Sequence, residues 1–156
     1  MNIQKVIIQN FKTLRNFEIT LNKELNIIVG DNEAGKSTLL EAINLVLTGQ
    51  LNGRNINYEI SPFLFSKSVV DEYLTKLKAG TNPSLPTILI EIYLHNKPEF
   101  VKLKGANNSK GEDTYGVYLK IEFNEDYKDE YSKYISDPTN ITTLPTEYYS
   151  AKLYDF

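Results

Sequence analysis

The chain has no cysteine, no tryptophan and one histidine among its 156 residues. Without cysteine there is no disulfide framework and no thiolate metal site, and His95 by itself cannot form a histidine cluster. Long apolar runs are missing as well. No stretch approaches the ~20 residues of a membrane span, and the opening MNIQKVIIQNF has neither the apolar core nor the cleavage site of a secretory signal. The expectation is a cytosolic chain with no membrane partner. A strong positive charge is also lacking: the net charge of −3 excludes a polycation clamped to nucleic acid. Locally, Lys97, Lys102, Lys104 and Lys110 are opposed only by Glu99, whereas 112–137 is rich in Asp and Glu. A solvated hairpin rim and a contact with a phosphate backbone both account for that asymmetry.

What is present is a globular composition, 41% hydrophobic and 24% charged, of a length suited to about one domain. Within it, GDNEAGKSTL has Gly30, Gly35, Lys36 and Ser37 at the spacing G-x-x-x-x-G-K-[ST]. The two glycines let a loop wrap closely around an anion, because no Cβ obstructs the backbone and positive φ is tolerated. Lys36 then reaches the β- and γ-phosphates and acts in catalysis as a point charge. The Ser37 hydroxyl ligates the Mg²⁺ that bridges the same oxygens, and Thr38 adds a second hydroxyl. The candidate nucleotide site is therefore Gly30, Asp31, Asn32, Glu33, Ala34, Gly35, Lys36, Ser37 and Thr38, with ATP and Mg²⁺ as cofactors.

Context agrees with the spacing. LNIIV (25–29) reads as a short buried strand before the loop, and Leu39, Ala42, Ile43, Val46 and Leu47 recur along one helix face after it. That order aims the unpaired N–H groups of a helix start at the anion. Elsewhere KVIIQ (5–9) and FEITL (17–21) predict strands joined by NFKTLRN, and 49–59 predicts a surface loop. Val69, Val70, Tyr73, Leu74 and Leu77 predict a helix, with Ser68 and Asp71 in capping-box spacing and Gly80 beyond its end. Segments 87–94, 100–104 and 115–123 predict an antiparallel β section, with 105–114 as a flexible hairpin loop. A short helix around Tyr127, Tyr131, Tyr134 and Ile135 and a last strand over 148–156 follow.

The opening KVIIQNFKTLRNFEITL and the segment LNIIVGDNEAGKSTLLEAINLVL resemble the N-terminal part of ABC-type ATPase heads of the SMC and RecF kind, and most of all those of the OLD nucleases. The resemblance is close over 1–48 and looser beyond. It implies an α/β P-loop NTPase fold with a mixed sheet and an antiparallel β subdomain. Residues 1–48 would supply strands, phosphate loop and helix, 49–86 a loop and helix insertion, and 87–156 the β section. It further implies Lys12 or Arg15 near the nucleotide or DNA, and a homodimer formed through the complete head. The whole protein would then couple ATP hydrolysis to DNA processing, repair or phage defence, with a nuclease as one expected companion domain.

Several parts of that family pattern have no counterpart here. No apolar run ends in an Asp-Glu pair, no Ser-Gly-Gly signature occurs, and LKIEFNED alternates too strictly for a buried parallel strand. Glu91 in ILIEIYL reads as a charge on the wet face of a strand rather than a metal ligand. The expectation is an N-terminal portion of an ATPase domain that binds ATP with little turnover alone. Two rivals stand beside it. One is a non-hydrolysing nucleotide-binding or partner-docking module. The other is a GTPase, suggested by Asp113-Thr114-Tyr115-Gly116 and the near match Asn96-Lys97-Pro98-Glu99, though both lie in the wrong order and context.

Overall fold

Period-two alternation in the first twenty residues builds a hairpin whose tip is much tighter than the sequence suggests. A computed structural model describes residues 3–31 and 35–156. In it β1 (Ile3–Phe11) and β2 (Leu14–Thr20) pair antiparallel as far as Phe11↔Leu14, so the turn is only Lys12 and Thr13. Lys12 has φ +49, the left-handed conformation that two-residue hairpin turns require at their first central position.

The chain continues through α1 (Lys36–Thr48), the small hairpin β3 (Gln50–Leu51) and β4 (Arg54–Asn55), and α2 (Lys67–Lys78). Then come β5 (Ile88–Leu94), β6 (Lys104–Gly105), β7 (Thr114–Phe123), α3 (Lys128–Tyr134) and β8 (Tyr149–Asp155). The main sheet runs β2-β1-β5-β7, with β6 and β8 both on the far edge of β7, and every pairing among the described residues is antiparallel. Cross-strand register puts Ile8, Ile90 and Leu119 in one row and Val6, Ile92 and Val117 in the next. α1 lays Leu39, Ala42, Leu45 and Val46 on that face, and α2 adds Tyr73 and Leu77. Fully burying each Leu, Ile or Val among them is worth about 1.5–3 kcal/mol.

Alternation sends the neighbouring residues to the opposite face, and Glu91 is among them. Expected on a wet face, it is instead 1% exposed. The reason is the segment between β6 and β7, which folds back over the sheet rather than hanging free. Ser109 donates its N–H and its hydroxyl to the Glu91 carboxylate at 2.6 and 2.7 Å, and the Tyr93 hydroxyl adds a third bond at 3.1 Å. Asn108 closes the flap on itself, accepting from Lys110 and Glu112 N–H, and Lys110 reaches across to Glu18 at 2.9 Å. That ammonium holds the Glu18 carboxyl below its ordinary value of 4.5. A depressed folded value means the contact is complete above about pH 4.5 and is lost as pH falls through the folded value. The side-chain titration of Glu18, followed by NMR, should therefore have its midpoint below 4.5, and Lys110→Ala should bring it back up.

Three other segments depart from the sequence reading. FVKLK is not a strand: 98–103 winds into a 3₁₀ helix started by Pro98, and only Lys104 and Gly105 join the sheet. Residues 49–59 are not featureless, because Asn52 (φ +52) and Gly53 (φ +76) make a tight Asn-Gly turn between β3 and β4 that lets Leu51 and Ile56 reach the core. The capping box does not form; Ser66 stands at the N-cap of α2, and the Ser68 hydroxyl accepts from Arg15 instead.

The largest difference concerns LNIIV. No strand is present there, and Leu25, Ile27 and Val29 are 71%, 76% and 82% exposed. An apolar run of this kind becomes a strand when a ladder partner and covering layers surround it, and nothing among the described residues pairs with it.

Candidate functional site

The phosphate-loop sequence leads directly into α1. Of its nine candidate residues, Gly30, Asp31, Gly35, Lys36, Ser37 and Thr38 are described, and Asn32, Glu33 and Ala34 lie outside the described residues. Gly35 is the N-cap of α1, at φ +83 and ψ 12, and its carbonyl accepts the first helical bond from Leu39 N–H at 2.8 Å. A side chain at this position is disfavoured twice. The φ is left-handed, and a Cβ would come 2.9 Å from Leu14 Cδ2 and 3.4 Å from Thr13 Oγ1. The hairpin tip thus packs against the turn that starts α1, so a side chain there would have to displace the end of Leu14.

Lys36, Ser37 and Thr38 form the first turn of α1, whose N–H groups have no partner within the helix and carry the positive end of its dipole. The Lys36 ammonium donates to the Gly30 carbonyl. A phosphate oxygen at the site would replace that carbonyl as its acceptor. No acidic residue occupies the first turn of α1. The donor set, one ammonium, a helix start and the hydroxyls of Ser37 and Thr38, fits a polyphosphate with a hard divalent cation.

Two more side chains meet this turn, and spacing alone does not identify them. Thr13 Oγ1 lies 3.4 Å from Thr38 Oγ1, and Lys12 is ion-paired with Glu41 one turn along α1. Arg15 points away. Its guanidinium makes a two-bond contact with Glu72 of α2, at 2.8 and 2.7 Å, and donates to Ser68. Only the first of the pair Lys12 and Arg15 is thus brought to the phosphate-loop helix. Period-two alternation places residues on faces of a sheet but does not say where a hairpin tip will land.

The basic residues of the β section are largely neutralised. Lys97 pairs with Glu99, Lys104 with Asp113 and Lys110 with Glu18. The D-x-x-G match fails as a phosphate contact on geometry: Asp113 serves Lys104, and Gly116 lies inside β7 opposite Tyr93, covered by the Phe156 ring. No group of three His, Asp or Glu residues suited to a metal exists among the described residues, and none of their helices is long and apolar enough to cross a membrane.

Comparison with known proteins extends these observations beyond one loop. The chain is 28% identical over 129 residues to the DNA replication and repair protein RecF of Clostridium acetobutylicum, covering 82% of this chain and 34% of that protein. It is 43% identical over 53 residues to structural maintenance of chromosomes protein 6 of Saccharomyces cerevisiae, covering 34% of this chain and 5% of that one. A third relative is the DNA double-strand break repair Rad50 ATPase of Nanoarchaeum equitans, 43% identical over 56 residues, covering 36% and 7%. The chain thus spans about a third of RecF and far less of the other two. The profile of the AAA domain matches residues 5–152, nearly the whole chain. With a match of that extent, the chain belongs to the AAA domain family.

Proposed function

We propose that Gly30 to Thr38 hold the phosphates of ATP with Mg²⁺, Lys36 and Ser37 having the roles their spacing predicts. The chain then serves as the N-terminal portion of an ATPase head that works on DNA. The observation that carries the reading is the start of α1: a glycine at left-handed φ, an ammonium bonded to the Gly30 carbonyl, and a first helical turn with no acidic residue. Relatives named for replication, repair and chromosome maintenance support the DNA assignment by likeness. The specific likeness to OLD nucleases, a role in phage defence and a cytoplasmic location rest on the sequence alone.

Exposed apolar surface supports the reading of a partial head. Besides 25–29, α1 turns Leu40 (59% exposed) and Leu47 away from the sheet, so the helix is apolar on both sides. Helices of that kind are buried between two layers, and the antiparallel sheet supplies only one. A further strand layer, seeded by 25–29 and contributed by a longer chain, would cover both and complete a dimerising head.

Phosphoryl transfer also needs a group that orients the attacking water and charges that meet the γ-phosphate in line. Residues 1–156 alone should bind ATP yet release phosphate far more slowly than the ~1–10 s⁻¹ common for enzymes. A longer protein containing them should turn ATP over and lose that activity with Lys36→Ala. Steady turnover by 1–156 would contradict the partial-head reading, and no binding of either form to DNA at low salt would remove the DNA assignment. The non-hydrolysing module is the runner-up and predicts no turnover in any form. The GTPase reading predicts preference for GTP and is disfavoured by the placement of Gly116.

A further inference from the structure

The face of the sheet turned away from α1 and α2 holds a carboxylate that nucleotide binding leaves unused. Glu91 is buried, yet among the described residues no lysine or arginine bonds it. Its three partners are neutral: the N–H and hydroxyl of Ser109, both carried by the flap, and the Tyr93 hydroxyl beside it on β5. Dehydrating a carboxylate without a cation is costly, and charge-assisted bonds of good geometry offset that cost. When the flap lifts, the bonds to Ser109 are lost but water returns to Glu91, so opening recovers much of what it gives up.

Little else holds the flap. Residues 106–113 contain no apolar side chain larger than alanine, so hydrophobic burial adds little to closure. The remaining ties are two ion pairs, Lys110 with Glu18 at 2.9 Å and Lys5 with Glu112 at 3.5 Å, each with an exposed carboxylate, and such pairs contribute little. Within the flap the bonding is better. The Asn108 side chain accepts from the Lys110 and Glu112 N–H groups and donates to the Glu112 carbonyl at 2.7 Å, so the turn keeps its own shape. Its base is fixed as well, because Lys104 and Gly105 pair with Tyr115 and Thr114. We infer that 106–113 is a strap that opens and closes as a unit over this face of the sheet, with Glu91 as its catch. Open, it bares Glu91, Tyr93 and the Ile7 between Glu91 and Glu18, all buried when it is closed. Elements that move in regulation are drawn from segments tied this weakly to the core. An apolar residue at position 91 would suit a buried strand better, whereas a carboxylate there makes closure depend on the two donors of Ser109.

Limited digestion of the whole chain with trypsin tests this, because Lys110 lies in the strap and cleavage after it tracks the open population. Wild type should be cut there about 10-fold or more slowly than a free peptide of the strap sequence, yet faster than after Lys120, which lies within β7. Glu91→Leu keeps an apolar side chain in the strand but removes the acceptor, and should speed cleavage after Lys110 by about 10-fold or more while amide exchange in β5 and β7 stays as in wild type. Glu91→Gln retains an acceptor for Ser109 and should stay within about 3-fold of wild type. Unchanged cleavage in Glu91→Leu would place the catch elsewhere and overturn the inference. Wild-type cleavage at the rate of the free peptide would mean that the strap is never closed, and one common rate after Lys110 and Lys120 would mean that it opens only with the sheet; either result overturns it too. If Glu91→Leu also loosens β5 and β7, Ser109→Ala decides, since it removes a hydroxyl from an exposed turn and no core packing. It should raise cleavage after Lys110 alone, and no change would again overturn the catch.

Discussion

Lys36→Ala is expected to weaken Mg-ATP binding by about 10- to 150-fold, the equivalent of losing a charge-assisted contact of ~1.5–3 kcal/mol. The ammonium is already bonded to the Gly30 carbonyl, so it needs only to exchange one oxygen acceptor for another. Exchanging a neutral carbonyl for a polyphosphate oxygen gains charge-charge attraction, and this gain is what the alanine variant forfeits. Calorimetric titration reads it directly. Ser37→Ala should behave differently, blunting the dependence on Mg²⁺ more than the affinity for the nucleotide, because its hydroxyl addresses the cation. An unchanged affinity in Lys36→Ala would remove the site.

Gly35→Val should cost about 2–5 kcal/mol of folding stability and nucleotide binding with it. Two causes add. An L-residue at φ +83 costs ~1–2 kcal/mol, and a Cβ 2.9 Å from Leu14 Cδ2 forces repacking of a nearly buried side chain, which costs ~1–3 kcal/mol more. Relief by shifting the start of α1 would move Lys36, Ser37 and Thr38 off the loop and break the Thr13–Thr38 contact. Gly53→Val is the matching control, since Gly53 also has a positive φ but nothing stands within 4 Å of its Cβ position. Denaturant unfolding should show the smaller loss in the Gly53 variant, and ATP titration should show none. Equal stability losses in the two variants would mean that Leu14 does not press on Gly35.

The same comparison of local and non-local causes explains which residues were legible in the sequence. Glu91 looked solvent-facing because alternation along ILIEIYL assigns it to the side away from the helices, and that assignment is correct. It is buried because Ser109, eighteen residues away, folds over it, and no periodicity carries that information. FVKLK has strand composition but follows Pro98 and lies at a sheet edge where only two residues find a partner. The Asn52-Gly53 turn, in contrast, was a local signal that the overall polarity of 49–59 obscured.

By itself the sequence determined what depends on near neighbours: the phosphate-loop spacing, the helix that begins at Lys36, and the strands of strict alternation, β1, β2, β5, β7 and β8. These follow from interactions over a few residues, where φ preferences, side-chain period and helix-end chemistry act. Tertiary structure alone decided that Thr13 meets Thr38 and that Lys12 turns to Glu41 while Arg15 turns to Glu72. It also decided that Leu25 to Val29 form no strand among the described residues, because a strand exists only where a partner supplies its hydrogen bonds.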